Sequence, residues 1–204
     1  MTALRLDELR RHSDVLRLRS GKSLTVRFLE PGDAEPLQAY FRALTTNSRY
    51  NRFLGAMSEL PHNLLADFIH VGEGDRFSVI ATMTIDGHET IVGEARYAFD
   101  PDKDSFEFGL SIDDRWQGQG VGSALMHNLE CRAAAFGSKR MFGDTLRSNA
   151  AMIALARKSG FDFTNNPEDW KLVRFQKHSD LAPKEIPCAS WRIAAEQIAH
   201  QPSV

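Results

Sequence analysis

The sequence predicts an α/β (α+β) fold, one sheet of about six to seven strands flanked by about four helices. Three observations predict it. From Phe77 to Ile112 apolar residues recur at every second position, interrupted only by turn dipeptides. On both sides of that block the apolar period lengthens to that of amphipathic helices. Between the last alternating strand and the next helix lies Gln117-Gly118-Gln119-Gly120-Val121-Gly122.

Leu24 to Leu29 alternates as a strand, and Glu30-Pro31-Gly32-Asp33 ends it. Asp33 is an N-cap for a helix running to Leu44, with Pro36 in its first turn. Asn47 to Asn51 is polar and expected as loop. Pro61 to His70 reads as a second helix, with Leu64, Leu65, Phe68 and Ile69 on one face. Phe77, Val79, Ala81, Met83 and Ile85 make a strand, and Asp86-Gly87 is a hairpin turn. Ile91 to Phe99 returns, Asp100-Pro101-Asp102 turns again, and Ser105 to Ile112 completes an antiparallel meander. After the glycines, Val121, Leu125, Leu129 and Ala133 mark a helix that ends near Gly137. Lys139 to Thr145 is extended. Ser148 or Asn149 caps a further helix that Gly160 stops. Phe161 to Phe163 and Trp170 to Phe175 flank Asn165-Asn166-Pro167 as a final hairpin. Residues 1–22 form an N-terminal extension with Leu6, Leu9 and Leu16 available for a short helical arm, and residues 23–177 the main domain. Residues 178–204 form a C-terminal tail whose helix, about Ser190 to His200, carries Trp191, Ala195 and Ile198 on one face. That face docks on the domain or makes a homodimer contact.

Composition excludes several classes. A net charge of -2 gives no overall electrostatic footprint for nucleic acid. No apolar run approaches the roughly 18 residues of a membrane span, and the N-terminus lacks the apolar core of a signal peptide. Cys131 and Cys188 show no framework or metal-ligand spacing, which suits a reducing, cytoplasmic location. His127 and Cys131 read as helix-face residues; His62, His70, His88 and His178 are scattered, and no metal site is expected.

The glycine segment carries the chemistry. Glycines at alternate positions leave backbone N–H groups unshielded at a helix start, where orphan amides and the macrodipole favour an anion. A tight turn alone needs fewer glycines. A nicotinamide-binding fingerprint wants G-x-G-x-x-G after a strand buried on both faces, with a carboxylate such as Asp144 downstream. Here the spacing is G-x-G-x-G, and the preceding strand alternates. Gly21-Lys22-Ser23 resembles the end of a P-loop, but Leu16 stands where its first glycine belongs.

Gln117 to Gly122 matches the Q/R-x-x-G-x-G/A signature of the GCN5-related N-acetyltransferases, the GNAT superfamily. Asn149, Met152, Leu155, Lys158, Gly160 and Phe161 follow that family's second pattern, N-x-x-A-x-x-L-Y-x-K-x-G-F. The element order from Leu24 to Phe175, about three quarters of the chain, is also similar. Ser48 to Phe53, Asp113 to Gln117 and Asn149 to Ala156 resemble the acetyltransferase domain of bacterial protein-lysine acetyltransferases. The resemblance implies a GNAT fold with a mixed, mostly antiparallel twisted sheet, and acetyl-CoA as co-substrate. It implies that the amides of Gln117, Gly118, Gln119, Gly120, Val121, Gly122 and Ser123 hold the CoA pyrophosphate. The main chain at Ile112 pairs with pantetheine where two strands splay, and Asn149 bonds the cofactor or only caps its helix.

The implied reaction moves acetyl to a primary amine, from a protein lysine or a small molecule. An amine with a pKa of about 10.4 is mostly protonated at neutral pH and needs a base. Glu107 is the candidate, matching a glutamate in the resembling enzymes; Glu94 is the reserve. Phe41, Tyr50 and Phe53 lie where the family places its acceptor pocket, though they also suit a core. One departure stands out: the family's acid tyrosine falls on Ala156, so a water or Ser148 would protonate the leaving thiolate. The same departure admits an acyl-CoA-binding sensor that does not catalyse.

Overall fold

The computed structural model describes residues 13–71 and 76–199. Leu6 and Leu9 of the expected arm lie outside the described residues, as does the side chain of Ile198. Among the described residues eight strands form one sheet: β1 Asp14–Arg17, β2 Ser23–Phe28, β3 Arg76–Ile85, β4 His88–Asp100, β5 Ser105–Ile112, β6 Arg140–Leu146, β7 Asp162–Asn165 and β8 Leu172–His178. Their order is β1-β2-β3-β4-β5-β6-β8-β7. Every pairing is antiparallel except β5 with β6. The described α-helices are α1 Ala34–Ala43, α2 Thr46–Phe53, α3 His62–Ile69, α4 Val121–Ala135, α5 Ala150–Lys158 and α6 Ala189–Ala199. Among the described residues no helix is long and apolar enough to cross a membrane.

Strand alternation divides the molecule into two layers. Phe77, Tyr97 and Phe106 point to one face, where rings of Phe77 and Tyr97 meet Phe136 at 5.2 and 6.1 Å. That face carries α4 and, over it, α6. Glu94 and Ser111 point to the other face, where Tyr40 of α1 meets Ser111 and Arg52 of α2 meets Glu94. The hydrophobic core therefore sits on both faces of the central strands.

Two segments differ from the sequence expectation, and both are held by partners elsewhere in the chain. The polar stretch Asn47 to Asn51 lies in α2, not a loop. The helix has no apolar stripe; Thr45 caps it by accepting from the Ser48 amide, and its arginines bond distant carbonyls and carboxylates. Leu16 lies in β1, which raises the strand count to eight. Asp14 of β1 is 6% exposed because Asn128 and Trp191 donate to its carboxylate at 2.6 and 2.9 Å. The tail helix α6 packs on α4 and buries Trp191 fully, its ring 6.3 Å from Phe136 and 6.1 Å from Phe28. Arg132 lies between Phe28 and Trp191, its guanidinium 4.6 and 4.3 Å from the two rings.

Candidate active site

The cleft begins where the parallel pairing of β5 with β6 gives way. β5 and β6 pair from Ser105↔Arg140 to Glu107↔Phe142, and then no further. Beyond that point β5 continues along β4 while β6 follows β8. The backbone edge of β5 is left unpaired toward Ile112. There a cavity of about 630 Å³ opens, lined by Leu110 to Ile112, Gly118, Gly120, Gly122, Ser123, Ser148, Asn149 and one side of α5.

The three glycines serve the loop in two different ways. Gly118 and Gly120 have φ of +71° and +93°, in the left-handed region that side chains disfavour. Gly122 has ordinary backbone, but a Cβ there would lie 3.2 Å from Leu155 and 3.7 Å from Ile112. Gly120 is the N-cap of α4, so no side chain satisfies its first amides, and its first turn carries no acid. The helix start thus faces the cavity as an uncapped donor set. The Gln117 amide donates to the Ile112 carbonyl at 3.1 Å, fixing loop to strand end. Gln119 donates to the Arg115 carbonyl at 2.7 Å. Ile112, Gln117, Gly118, Gly120, Gly122, Ser123 and Asn149 all line the cavity; Gln119 and the buried Val121 do not. Asn149 caps α5 through the Met152 amide at 3.2 Å and donates to Thr145 at 3.0 Å.

The opposite wall is built from side chains. Asp114 accepts from the Thr45 amide at 2.9 Å, the Thr45 hydroxyl at 3.0 Å and the Ser48 hydroxyl at 2.7 Å. Burial pushes its carboxyl up, but these donors outweigh burial and hold it below the usual carboxylate range. Arg52 pairs in bidentate fashion with Glu94, which is 1% exposed and also accepts from Ser111 at 2.7 Å. Burial pushes Arg52 down; the Glu94 charge and hydrogen bond outweigh it and raise the guanidinium. Tyr40 bonds Ser111 at 2.9 Å, and burial, with the Glu94 charge behind it, holds its phenol well above the ordinary value. Arg52 rests on β5: a Cβ on Gly109 would lie 3.1 Å from its Nη1.

Glu107 lies at the last β5–β6 pair, exposed, on the same face of β5 as Gly109 and Ser111. It stands at the root of the splay and does not itself line the cavity. Glu94, the reserve base, is committed to Arg52. Ala156 is fully buried and outside the cavity lining, so no acid comes from that position; Ser148 does line it. Phe41 is buried core, ringed by Tyr40, Phe53 and Phe68 at 5.2 to 5.9 Å. Neither Tyr50 nor Phe53 lines the cavity; Asn47, Ser48, Asn51 and Arg52 do. Sequence reading missed these four because the stretch looked like loop. Asp144 is bidentate with Arg174 at 3.0 and 2.7 Å, and its strand has an antiparallel neighbour, so the nicotinamide reading falls.

The reading of the cysteines also needs correction. Cys131 and Cys188 form a disulfide across 57 residues, joining α4 to the segment before α6. Nothing local in the sequence marks the pair, because packing of the tail alone brings them together. His127 lies beside them, its donor atom and both sulfurs within 4.8 Å of one another.

The sequence model of the acetyltransferase (GNAT) family matches residues 40–161. Acetyltransferase PA5475 of Pseudomonas aeruginosa is 28% identical over 152 residues, covering 74% of this chain and 82% of that protein. The GNAT domain of S. lividans PAT superposes with a TM-score of 0.74 at 25% identity, covering 82% of this chain and 97% of that one. At 19% identity, yncA of Salmonella typhimurium, solved with its cofactor acetyl-CoA, shares the fold with a TM-score of 0.61, covering 81% and 99%. The match spans the glycine loop, the splayed strands and the capped helix that follows them, and the chain belongs to the GNAT family of acetyltransferases.

Proposed function

We propose that this protein moves an acetyl group from acetyl-CoA to a primary amine by direct transfer, with Glu107 as general base. The observation that carries the reading is the cavity between the uncapped start of α4 and the unpaired end of β5 at Leu110 to Ile112, with Glu107 on the same face of β5 as Ser111, at the root of the splay and outside the cavity lining. Bound acetyl-CoA supplies a thioester carbonyl for attack. The amides from Gln117 to Ser123 hold its pyrophosphate. The main chain near Ile112 pairs with its pantetheine arm as a neighbouring strand would, and Asn149 contributes a side-chain bond. Glu107 takes the ammonium proton, directly or through water, so that the amine nitrogen can attack. A β5 amide stabilises the oxyanion that develops, and the carbon–sulfur bond then breaks. A thiol with a pKa near 8.5 leaves with little help, so a water or Ser148 suffices as acid where Ala156 replaces the family tyrosine.

The amine belongs to a protein lysine, a peptide N-terminus or a small molecule. Ala156 also supports a second reading, an acyl-CoA sensor without transfer. Thiol release from acetyl-CoA across a panel of lysine peptides, amino acids and polyamines separates the two. Release with at least one amine class supports transfer. Tight acetyl-CoA binding with no release across the panel supports the sensor, and absence of binding removes both.

A further inference from the structure

The disulfide and its neighbouring imidazole are used by neither the cleft nor the reaction. His127 and Cys131 are four residues apart on α4, which places them on one helix face. Cys188 meets them from the segment before α6. The imidazole nitrogen and the two sulfurs all lie within 4.8 Å of one another. We propose that, when the cysteine pair is reduced, His127, Cys131 and Cys188 bind a thiophilic divalent cation of the zinc class.

Two thiolates and one imidazole select such a cation over magnesium or calcium, which prefer oxygen ligands. With zinc–sulfur bonds of about 2.3 Å, two thiolates of a tetrahedral site stand about 3.8 Å apart. The Cα atoms are 5.9 Å apart, so side-chain rotation supplies that separation without moving α4 or the tail. Both cysteines are buried, whereas His127 is exposed, so the cation is reached from the histidine side. Three protein ligands leave the fourth position to water. Binding releases two thiol protons and transfers no electrons. Disulfide formation instead removes two electrons and two protons, which oxidised glutathione accepts as it becomes two glutathione thiols. The two states exclude each other, yet each ties the tail to α4. Cys131 lies ten residues from Val121, about 15 Å along the helix from the anion loop.

The test titrates the full chain, reduced and freed of reductant under nitrogen, with cobalt(II) and then zinc(II). The expected result is one cobalt per chain with a thiolate-to-cobalt charge-transfer band, displaced by one zinc. Oxidised protein should bind none. His127→Ala should weaken binding by at least about tenfold, since even supporting residues around a metal carry 10–100-fold. It is exposed, so its loss should leave the fold intact. Cys188→Ser should abolish the band, with circular dichroism confirming the folded state. The proposal is overturned if reduced wild type gives no stoichiometric charge-transfer band. It is equally overturned if either variant binds cobalt as the wild type does.

Discussion

The two walls of the cleft are made in opposite ways. One wall is backbone: amides of the glycine loop, the uncapped start of α4 and the free edge of β5. The facing wall is side chain: Asp114 with Thr45 and Ser48, and Arg52 with Glu94, Ser111 and Tyr40. A backbone wall needs unusual φ angles and close approach, which fall on glycine, so it is written locally. A side-chain wall needs partners from different elements and leaves no local pattern. The backbone wall should therefore fail in binding when a side chain is added, and the other should fail in stability when one is removed.

Arg52→Met is the largest expected effect. It leaves the Glu94 carboxylate buried without its cation and should cost about 3–5 kcal/mol in urea unfolding. A loss below about 1 kcal/mol would place this pair with ordinary surface bridges. Gly120→Val comes next. A β-branched residue at φ +93° costs about 1–2 kcal/mol of folding and disrupts the amide array. Acetyl-CoA affinity should fall roughly 100-fold, about 2.7 kcal/mol, by calorimetry. Equal affinity would deny the loop its role.

The smallest effect is the pH response of Asp114. Its carboxyl is lowered in the folded state, so it contributes stability above its unfolded value, ordinarily 3.8, and loses it as pH falls through the folded value. Solvent screening keeps the contribution below about 1 kcal/mol. Denaturation midpoints below pH 3.8 should therefore fall more steeply for wild type than for Asp114→Asn. Parallel slopes would show that Asp114 is not held by its donors.

The same contrast explains what the sequence disclosed. The meander, its Asp86-Gly87 turn, the glycine loop and the Asn149 cap depend on neighbours in the chain and were legible. The helix α2 depends on Glu94, 42 residues from Arg52, and on Asp114, 66 residues from Ser48. Strand β1 depends on Asn128 and Trp191, which are 114 and 177 residues from Asp14. The disulfide needed the tail to be docked before its two halves could meet. That Glu107 lies on the polar face of β5, five residues before Ile112, was legible; that it falls outside the cavity lining and that Glu94 is committed to Arg52 were not, since a lone glutamate on a strand shows no partner.

The most direct test of the cleft is Glu107→Gln, with acetyl-CoA affinity measured by calorimetry and transfer measured by thiol release on the same protein. Affinity within about twofold of wild type, with transfer reduced roughly 10²–10⁴-fold, is the expected result. Unchanged transfer would remove Glu107 from the reaction, and affinity lost in proportion to transfer would make it a binding residue instead.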